Sequence, residues 1–459
     1  MAEQQPFMEE QLIDSTLEVI RAALQSGRIQ DAIAALTKLH PTDRAEAFSE
    51  LDDQAQSAIL PRLDIPSTAD LLEELEDEEA ADVAENLSTE RLADVLDEME
   101  PDEAADVLGD LPPETAARAL AEMDDADEVI PLLSHPDETA GGLMTTWLVT
   151  LRPEETAAEA IEKLRSAELE PEGPYYLYVI DDSERLVGVV GLRDLVIAKP
   201  QTPVRAFMDP DVKSATTGID QEDVARLMSR YDLTALPVVD DAGKLLGTIT
   251  VDDVVDVIEE EATEDIYRFA NLHDADLAID SPISISVRRR LPWLYLSTLT
   301  ALFASWVISN FEAIFEQVAV LAVFQSVVAG LGGNAGTQSL AIAVRAIALG
   351  EITIKDIWRT IVKEAVTGII QGISVGLIAG IGVYLWRGSP WLGFILGMAL
   401  IGNMLIAVIV GTVTPLLLKA LRQDPALASS ALVTAVTDCA GFAIFLGLAT
   451  LLLPLLTER

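Results

Sequence analysis

The chain has 459 residues, half of them hydrophobic and 23% charged, with a formal net charge of −46 and a mean hydropathy of +0.30. Those averages exclude both an ordinary soluble domain and a bare membrane bundle, and predict two unlike halves. From Leu291 to Arg459 there are 8 acidic and 8 basic residues, so the whole negative excess lies in the first 290. Such a surface repels nucleic acid and anionic lipid and attracts cations, or it reflects adaptation of the organism to salt.

At the amino terminus, MAEQQPFMEEQL has neither a basic n-region nor an apolar h-region, which predicts no cleaved signal peptide and a cytoplasmic start. The stretch LIDSTLEVIRAALQSG reads as a helix stopped by glycine. A repeat of 12 residues follows: DLLEEL from Asp70, DVAENL from Asp82, DVLDEM from Asp94, DVLGDL from Asp106 and RALAEM from Arg118, with a fainter copy from Glu46. Each copy is a short amphipathic helix and a polar or proline-containing turn. One unit cannot bury its apolar side alone, so neighbours stack into a superhelix.

A second repeat runs from about 138 to 258. VIDDSERLVGVVGLRDLV (Val179 to Val196) matches VVDDAGKLLGTITVDDVV (Val238 to Val255), and each follows an amphipathic helix, Glu155 to Arg165 or Gln221 to Tyr231. With Met144 and Met208 opening the copies, this β-β-α pair resembles the tandem cystathionine-β-synthase (CBS) domain, a regulatory module. The resemblance implies contact of Asp194 and Asp253 with a nucleotide ribose and of Tyr176 and Arg193 with an adenine nucleotide; an empty, purely dimerising pair is the alternative. From Thr250 to Ala275 one acidic helix is expected, with Asp253, Asp256, Glu260 and Glu264 three or four residues apart. Like charges so spaced destabilise a helix by about 0.2 to 0.5 kcal/mol per pair unless cations neutralise them, although a solvated acidic face has the same appearance.

Five apolar segments follow, at about 291–311, 315–344, 365–386, 391–418 and 427–456, each long enough for a bilayer core of about 30 Å. Arg288 to Arg290, Arg345, Lys355, Arg359, Lys363, Lys419 and Arg422 fall on one side, Arg387 and Arg459 on the other, which predicts the amino terminus inside and the carboxyl terminus outside. The second segment contains GLGGNAGTQS, Gly330 to Ser339, whose glycines permit either close helix packing or a locally opened backbone. The fifth holds Asp438, the one charge between Asp424 and Glu458. A carboxylate at that depth is costly and points to an ion route or proton relay, with interhelical packing as the bland alternative. Cys439, the single cysteine, excludes an internal disulfide and reads as a small packed hydrophobe rather than a soft-metal ligand.

The order of parts, with GGNAGTQS in the second membrane helix and TDCAGF in the fifth, resembles the MgtE family of magnesium channels over nearly the whole chain. The implied architecture is multidomain: an all-α superhelix at 1–137, an α/β CBS pair at 138–258, an acidic connecting helix at 250–285 overlapping the pair's end, and a five-helix transmembrane domain at 286–459. The resemblance implies a homodimer in membrane lipid, with Asn334, Thr337, Gln338, Thr434 and Asp438 lining a pore on the two-fold axis. It also implies a cytosolic magnesium sensor whose matching positions are Asp70, Asp102, Asp106, Glu222, Asp232, Asp253, Asp256, Glu261, Glu264 and Asp265, with Asp424 facing the connecting helix. Ser326 and the pair Ser430-Ala431 depart from the expected pattern, where prolines would stand.

The expected function is a magnesium-selective channel or transporter of the cytoplasmic membrane, closed by intracellular magnesium and carrying an adenine nucleotide at the CBS pair. Two alternatives share these features: a proton- or sodium-coupled carrier of cobalt or another divalent ion, and a non-conducting nucleotide-sensing scaffold. Nucleic acid is not an expected partner. Enzymatic chemistry is not expected either, because there is no G-x-x-x-x-G-K-[ST] loop and His40, His135 and His273 lack metal-site spacing.

Overall fold

A computed structural model of the chain describes residues 5–166, 176–270, 272, 283–348, 352, 357–421 and 430–457, which form two compact units, Met1–Ile258 and Glu259–Arg459. In the first, α1 (Gln5–Gln25) and α2 (Ile29–Leu36) are joined through Gly27, whose φ of 69° suits a residue without a Cβ. Short helices then follow at the 12-residue period: α3 (Pro41–Ser49), α4 (Asp53–Ile59), α5 (Ile65–Glu73), α6 (Asp77–Glu85), α7 (Thr89–Leu96), α8 (Pro101–Asp110) and α9 (Pro113–Leu120). The period is written in the helix starts. Asp52, Asp64 and Ser88 accept hydrogen bonds from the backbone of Ala55, Ser67 and Arg91, while Pro41, Pro101 and Pro113 occupy first-turn positions where no backbone donor is needed. Leu71 and Leu72, Val83 and Ala84, Val95 and Leu96, and Val107 and Leu108 bury equivalent faces in successive repeats.

After α10 (Ala126–Val129) come two equivalent modules. The first holds β1 (Thr150–Leu151), α11 (Ala157–Ser166), β2 (Tyr176–Ile180), β3 (Leu186–Gly191) and α12 (Leu192–Ile197); the second holds β4 (Ala215–Thr216), α13 (Gln221–Tyr231), β5 (Ala235–Val239), β6 (Leu245–Thr250) and α14 (Val251–Phe269). In each, the short strand runs parallel to the middle one and the third antiparallel, Tyr176 lying opposite Gly191 and Ala235 opposite Thr250. The two anticipated methionines have matching roles. Met208 packs against Gly188 and Met144 against Gly247, so closely that a Cβ on either glycine would lie 2.8 Å from a methionine side-chain atom. The modules interlock through Tyr178 Oη and Thr248 Oγ1 at 2.6 Å and through backbone bonds between the turns at Glu184 and Gly243.

Burial divides this unit unevenly. The helical array and the second module share one hydrophobic core, which runs from Ile13 through Leu72 and Val107 to Met228, Ile249 and Val257. The first module has its own, built on Leu151, Leu177, Val190 and Leu195. That sharing brings α8 beside the start of α14.

The second unit contains α15 (Ile283–Ser309), α16 (Glu312–Gln317), α17 (Leu321–Ala348), α18 (Ile357–Arg387), α19 (Pro390–Ala420), α20 (Ser430–Leu451) and α21 (Leu453–Thr457). Among the described residues, α15, α17, α18, α19 and α20 are long and apolar enough to cross a membrane. The segment expected to run unbroken over 315–344 is interrupted instead: α16 ends at Gln317 and α17 begins at Leu321. Hydropathy hides this turn, because Ile314, Leu321 and Phe324 on its two sides are packed into the same core.

Candidate functional site

GLGGNAGTQS resolves its two readings in favour of close packing, since α17 is continuous through it. Glycines bring two other helices against its backbone. A Cβ on Gly336 would lie 2.6 Å from Val433 of α20, and one on Gly332 would overlap the amide of Asn403 of α19. Gly333 faces Thr434 of α20, one helical turn before Asp438. Asn334 and Gln338 are exposed and Thr337 half-buried on the same helix, so the expected pore-lining amides form an open stripe rather than part of the packed seam.

Asp438 is half-buried near the middle of α20, and its Oδ1 is buried without a hydrogen-bond partner among the described residues. A packing role between helices would leave both oxygens satisfied. The neighbouring helices also contain an element that sequence reading missed. Asn403 is fully buried in α19, donates from Nδ2 to the Val328 carbonyl of α17 at 2.9 Å, and sits 2.6 Å from where a Cβ on Gly441 of α20 would be. Its one sequence signal is being the sole carboxamide of a helix whose other polar residues, Thr412, Thr414 and Lys419, all follow it.

In the first unit the predicted acidic residues fall into two sets. Asp102 starts α8 and is 6% exposed, its Oδ1 without a hydrogen-bond partner among the described residues. Burial, then the charges of Asp253, Glu100 and Glu103, hold its carboxyl well above the usual range. Glu103 is raised likewise by burial and by Asp106, Asp253, Glu73 and Asp77. Burial also raises Asp253, against the hydrogen bonds that its Oδ2 accepts from the Thr250 amide (3.0 Å) and hydroxyl (2.6 Å). Asp102, Asp106, Asp253 and Asp256 are therefore brought to one acidic patch, which Glu73, Asp77 and Glu103 join without having been singled out.

Other predicted positions lie apart from that patch or are already engaged. Asp70 takes Arg44 Nη1 at 2.8 Å, and Glu222 takes Arg226 at 2.8 Å. Asp232 is exposed and left-handed, φ 52°, at the end of α13. On α14, Glu261 is half-buried and Glu264 pairs with Arg268. Asp424 and the side chain of Asp265 lie outside the described residues. Among the described residues no three acidic, histidine or cysteine side chains are placed to hold one metal ion. The patch is a concentration of like charge, not a cage.

At the positions expected to face a nucleotide the two modules differ. Asp194 is exposed beside Gly191, with Arg193 exposed and Tyr176 half-buried near it in the same module. The equivalent Asp253 is tied to Thr250 and turned into the acidic patch.

Comparison with known proteins matches residues 325–448 to a family model described as a divalent cation transporter, residues 39–138 to the MgtE intracellular N domain, and residues 140–200 and 204–260 to CBS domains. The magnesium transporter MgtE of Thermus thermophilus is 40% identical over 328 residues, 71% of this chain and 72% of that one. That of Bacillus subtilis is 39% identical over 319 residues, 70% of each. A solved structure of the cytosolic domain of the Mg2+ channel MgtE in complex with ATP is 38% identical, covers 52% of this chain and 99% of its own, and superposes with a TM-score of 0.50.

A helical repeat array, a CBS pair and a glycine-packed bundle with one acid in mid-span define a multi-pass membrane transporter of divalent cations, not an enzyme. The chain belongs to the MgtE family.

Proposed function

We propose that this protein is a magnesium-selective channel of the cytoplasmic membrane, working as a homodimer and closed by intracellular magnesium. The observation that carries the proposal is Asp438, half-buried in mid-span with an oxygen that has no partner among the described residues, on the helix that packs against the GGNAGTQS glycines. Magnesium sheds water reluctantly and is met by one or two carboxylates acting largely through its hydration shell. Two symmetry-related copies of Asp438 would present that arrangement on a two-fold axis, with Thr434 and the Asn334 and Gln338 amides bonding to the ion's water.

Regulation follows from the acidic patch. Without divalent ions, Asp102, Glu103 and Asp106 of α8 and Asp253 and Asp256 of α14 repel one another and strain the core that the array shares with the second module; shared hydrated ions remove the repulsion, hold the two together, and through α14 close the pore. Moving such an equilibrium from 1:99 to 99:1 takes about 5.5 kcal/mol of differential binding, which several weak sites supply together. Asp232 at the end of α13 and Glu261 on α14 add acidic charge outside the patch, while Glu222 and Glu264 are held by Arg226 and Arg268. Tyr176, Arg193 and Asp194 form the adenine-nucleotide site of the first module, while Asp253 serves the ion sensor.

The test is magnesium flux into proteoliposomes holding the full chain. Flux is expected without an imposed proton gradient, lost in Asp438→Ala and partly kept in Asp438→Glu. A strict requirement for a proton gradient would replace the channel with a coupled carrier.

A further inference from the structure

We propose that Asn403 is a positioning residue that sets the depth and rotation of Asp438; this rests on the reading of Asp438 as the ion-facing acid. Three helices meet at its carboxamide. Nδ2 donates to Val328 O of α17 at 2.9 Å, and glycines on both neighbours, Gly332 of α17 and Gly441 of α20, leave the space it fills. A Cβ on Gly332 would overlap the amide, one on Gly441 would lie 2.6 Å from Nδ2, and that same Cβ would meet Val328 Cγ1 at 2.9 Å. The side chain is completely buried and its Oδ1 finds no hydrogen-bond partner among the described residues.

In an apolar bundle such a group is costly to keep, since leucine would fill the volume without leaving an acceptor unpaired. What asparagine adds is direction. A hydrogen bond to one particular carbonyl fixes α19 against α17 in both translation and rotation, where an apolar contact tolerates sliding. Gly441 then seats α20 on the fixed amide. Asp438 is three residues earlier on α20, about 4.5 Å along the axis and on a neighbouring part of the same face. The height and heading of its carboxylate are therefore referred, through one glycine, to the Asn403–Val328 bond. Cys439, the chain's single thiol, is half-buried and adjoins Asp438, so it reports the rotation of α20 without any engineered probe.

The experiment uses the full chain in liposomes and compares Asn403→Leu with the parent in two measurements: magnesium flux as a function of concentration, and the rate at which a membrane-permeant maleimide labels Cys439. The expected result is a rise in half-saturating magnesium of about 10-fold or more, as for other groups that orient a metal ligand, with maximal flux little changed. The Cys439 labelling rate shifts, and the penalty of Asp438→Glu shrinks in the Asn403→Leu background, because the acid is no longer held to one height. Wild-type half-saturation and labelling in Asn403→Leu, or penalties at 403 and 438 that simply multiply, would overturn the inference. If Asn403→Leu does not insert, Gly441→Ala displaces the same amide and carries the same expectations and the same refutation. Flux that survives Asp438→Ala would instead refute the conduction reading, and the labelling comparison then decides the positioning role by itself.

Discussion

Asp102 is buried at the start of α8, its carboxyl raised by that burial and then by the charge of Asp253, which is itself tied by one oxygen to Thr250 at the start of α14. Folding therefore places like charges together across the junction of the helical array and the second module. Removing one should help. In divalent-free buffer, Asp102→Asn is expected to stabilise this unit by about 1 kcal/mol, roughly 2–4 °C for a unit of this size. Magnesium should then add less stability than it adds to the parent. Scanning calorimetry of the full chain with and without magnesium measures both; a lower midpoint for the variant in chelator would contradict the repulsion.

The same groups set a pH dependence whose sign follows from their raised carboxyls. Between the unfolded carboxylate range and the raised native one, the native state holds protons on Asp102, Glu103 and Asp253 that the unfolded chain has released. Stability in that window falls as pH rises. Acidification from neutrality towards the mildly acid range is thus expected to stabilise the chelated protein, and magnesium should flatten the slope. At lower pH the trend reverses. Asp64, held below its usual range chiefly by Ser67, loses its stabilising contribution as pH falls through its native pKa. Unfolding midpoints across pH, with chelator and with magnesium, show whether the two windows exist.

Asp194 and Asp253 occupy equivalent places in the two modules and should separate in function. Asp194→Ala is expected to weaken adenine-nucleotide binding about tenfold, the loss of one charged hydrogen bond. Asp253→Ala should leave it nearly intact and abolish the protease protection of α14 that the parent is expected to gain with magnesium. Calorimetric titration with ATP and limited proteolysis, run on both variants, resolve the pair. Equal loss of nucleotide by both would mean two like sites.

A third group of residues governs the membrane bundle. Gly376 and Gly380 of α18 meet Gly397 and Gly393 of α19, where a Cβ on Gly376 would lie 2.7 Å from the Gly397 carbonyl and one on Gly380 2.7 Å from the Gly393 carbonyl. Gly376→Val is expected to force the helices apart and cost on the order of 2–3 kcal/mol, comparable to an overpacked core. Gly382, two residues beyond Gly380 and so on the opposite side of α18 from this seam, meets nothing within 4 Å, and Gly382→Val should be tolerated. Thermal unfolding in detergent separates the two; equal sensitivity would deny that the seam carries the packing.

Much of the fold was legible because short-range chemistry repeats. The 12-residue period shows in capping Asp and Ser residues and first-turn prolines, and Pro41 opens the helix that carries the fainter copy from Glu46. Asp438 was legible because a charge in an apolar run has few explanations. The turn between α16 and α17 was not, since residues on both sides of it are buried alike. Asn403 was hidden for a related reason: its meaning lies in glycines 71 residues before it and 38 after it, a relationship between helices that no local pattern records. The pairing of Asp70 with Arg44 was equally out of reach, since 26 residues separate them and each alone reads as surface charge.

The α18–α19 seam has a consequence for how the protein is made. Only Gly388 and Ser389 connect the two helices, and their backbones touch through paired glycines along the adjoining turns. The second arm is therefore synthesised directly after the first with its partner surface complete, so the α18–α19 pairing needs no contact from another span, whether α15 and α17 before it or α20 after it.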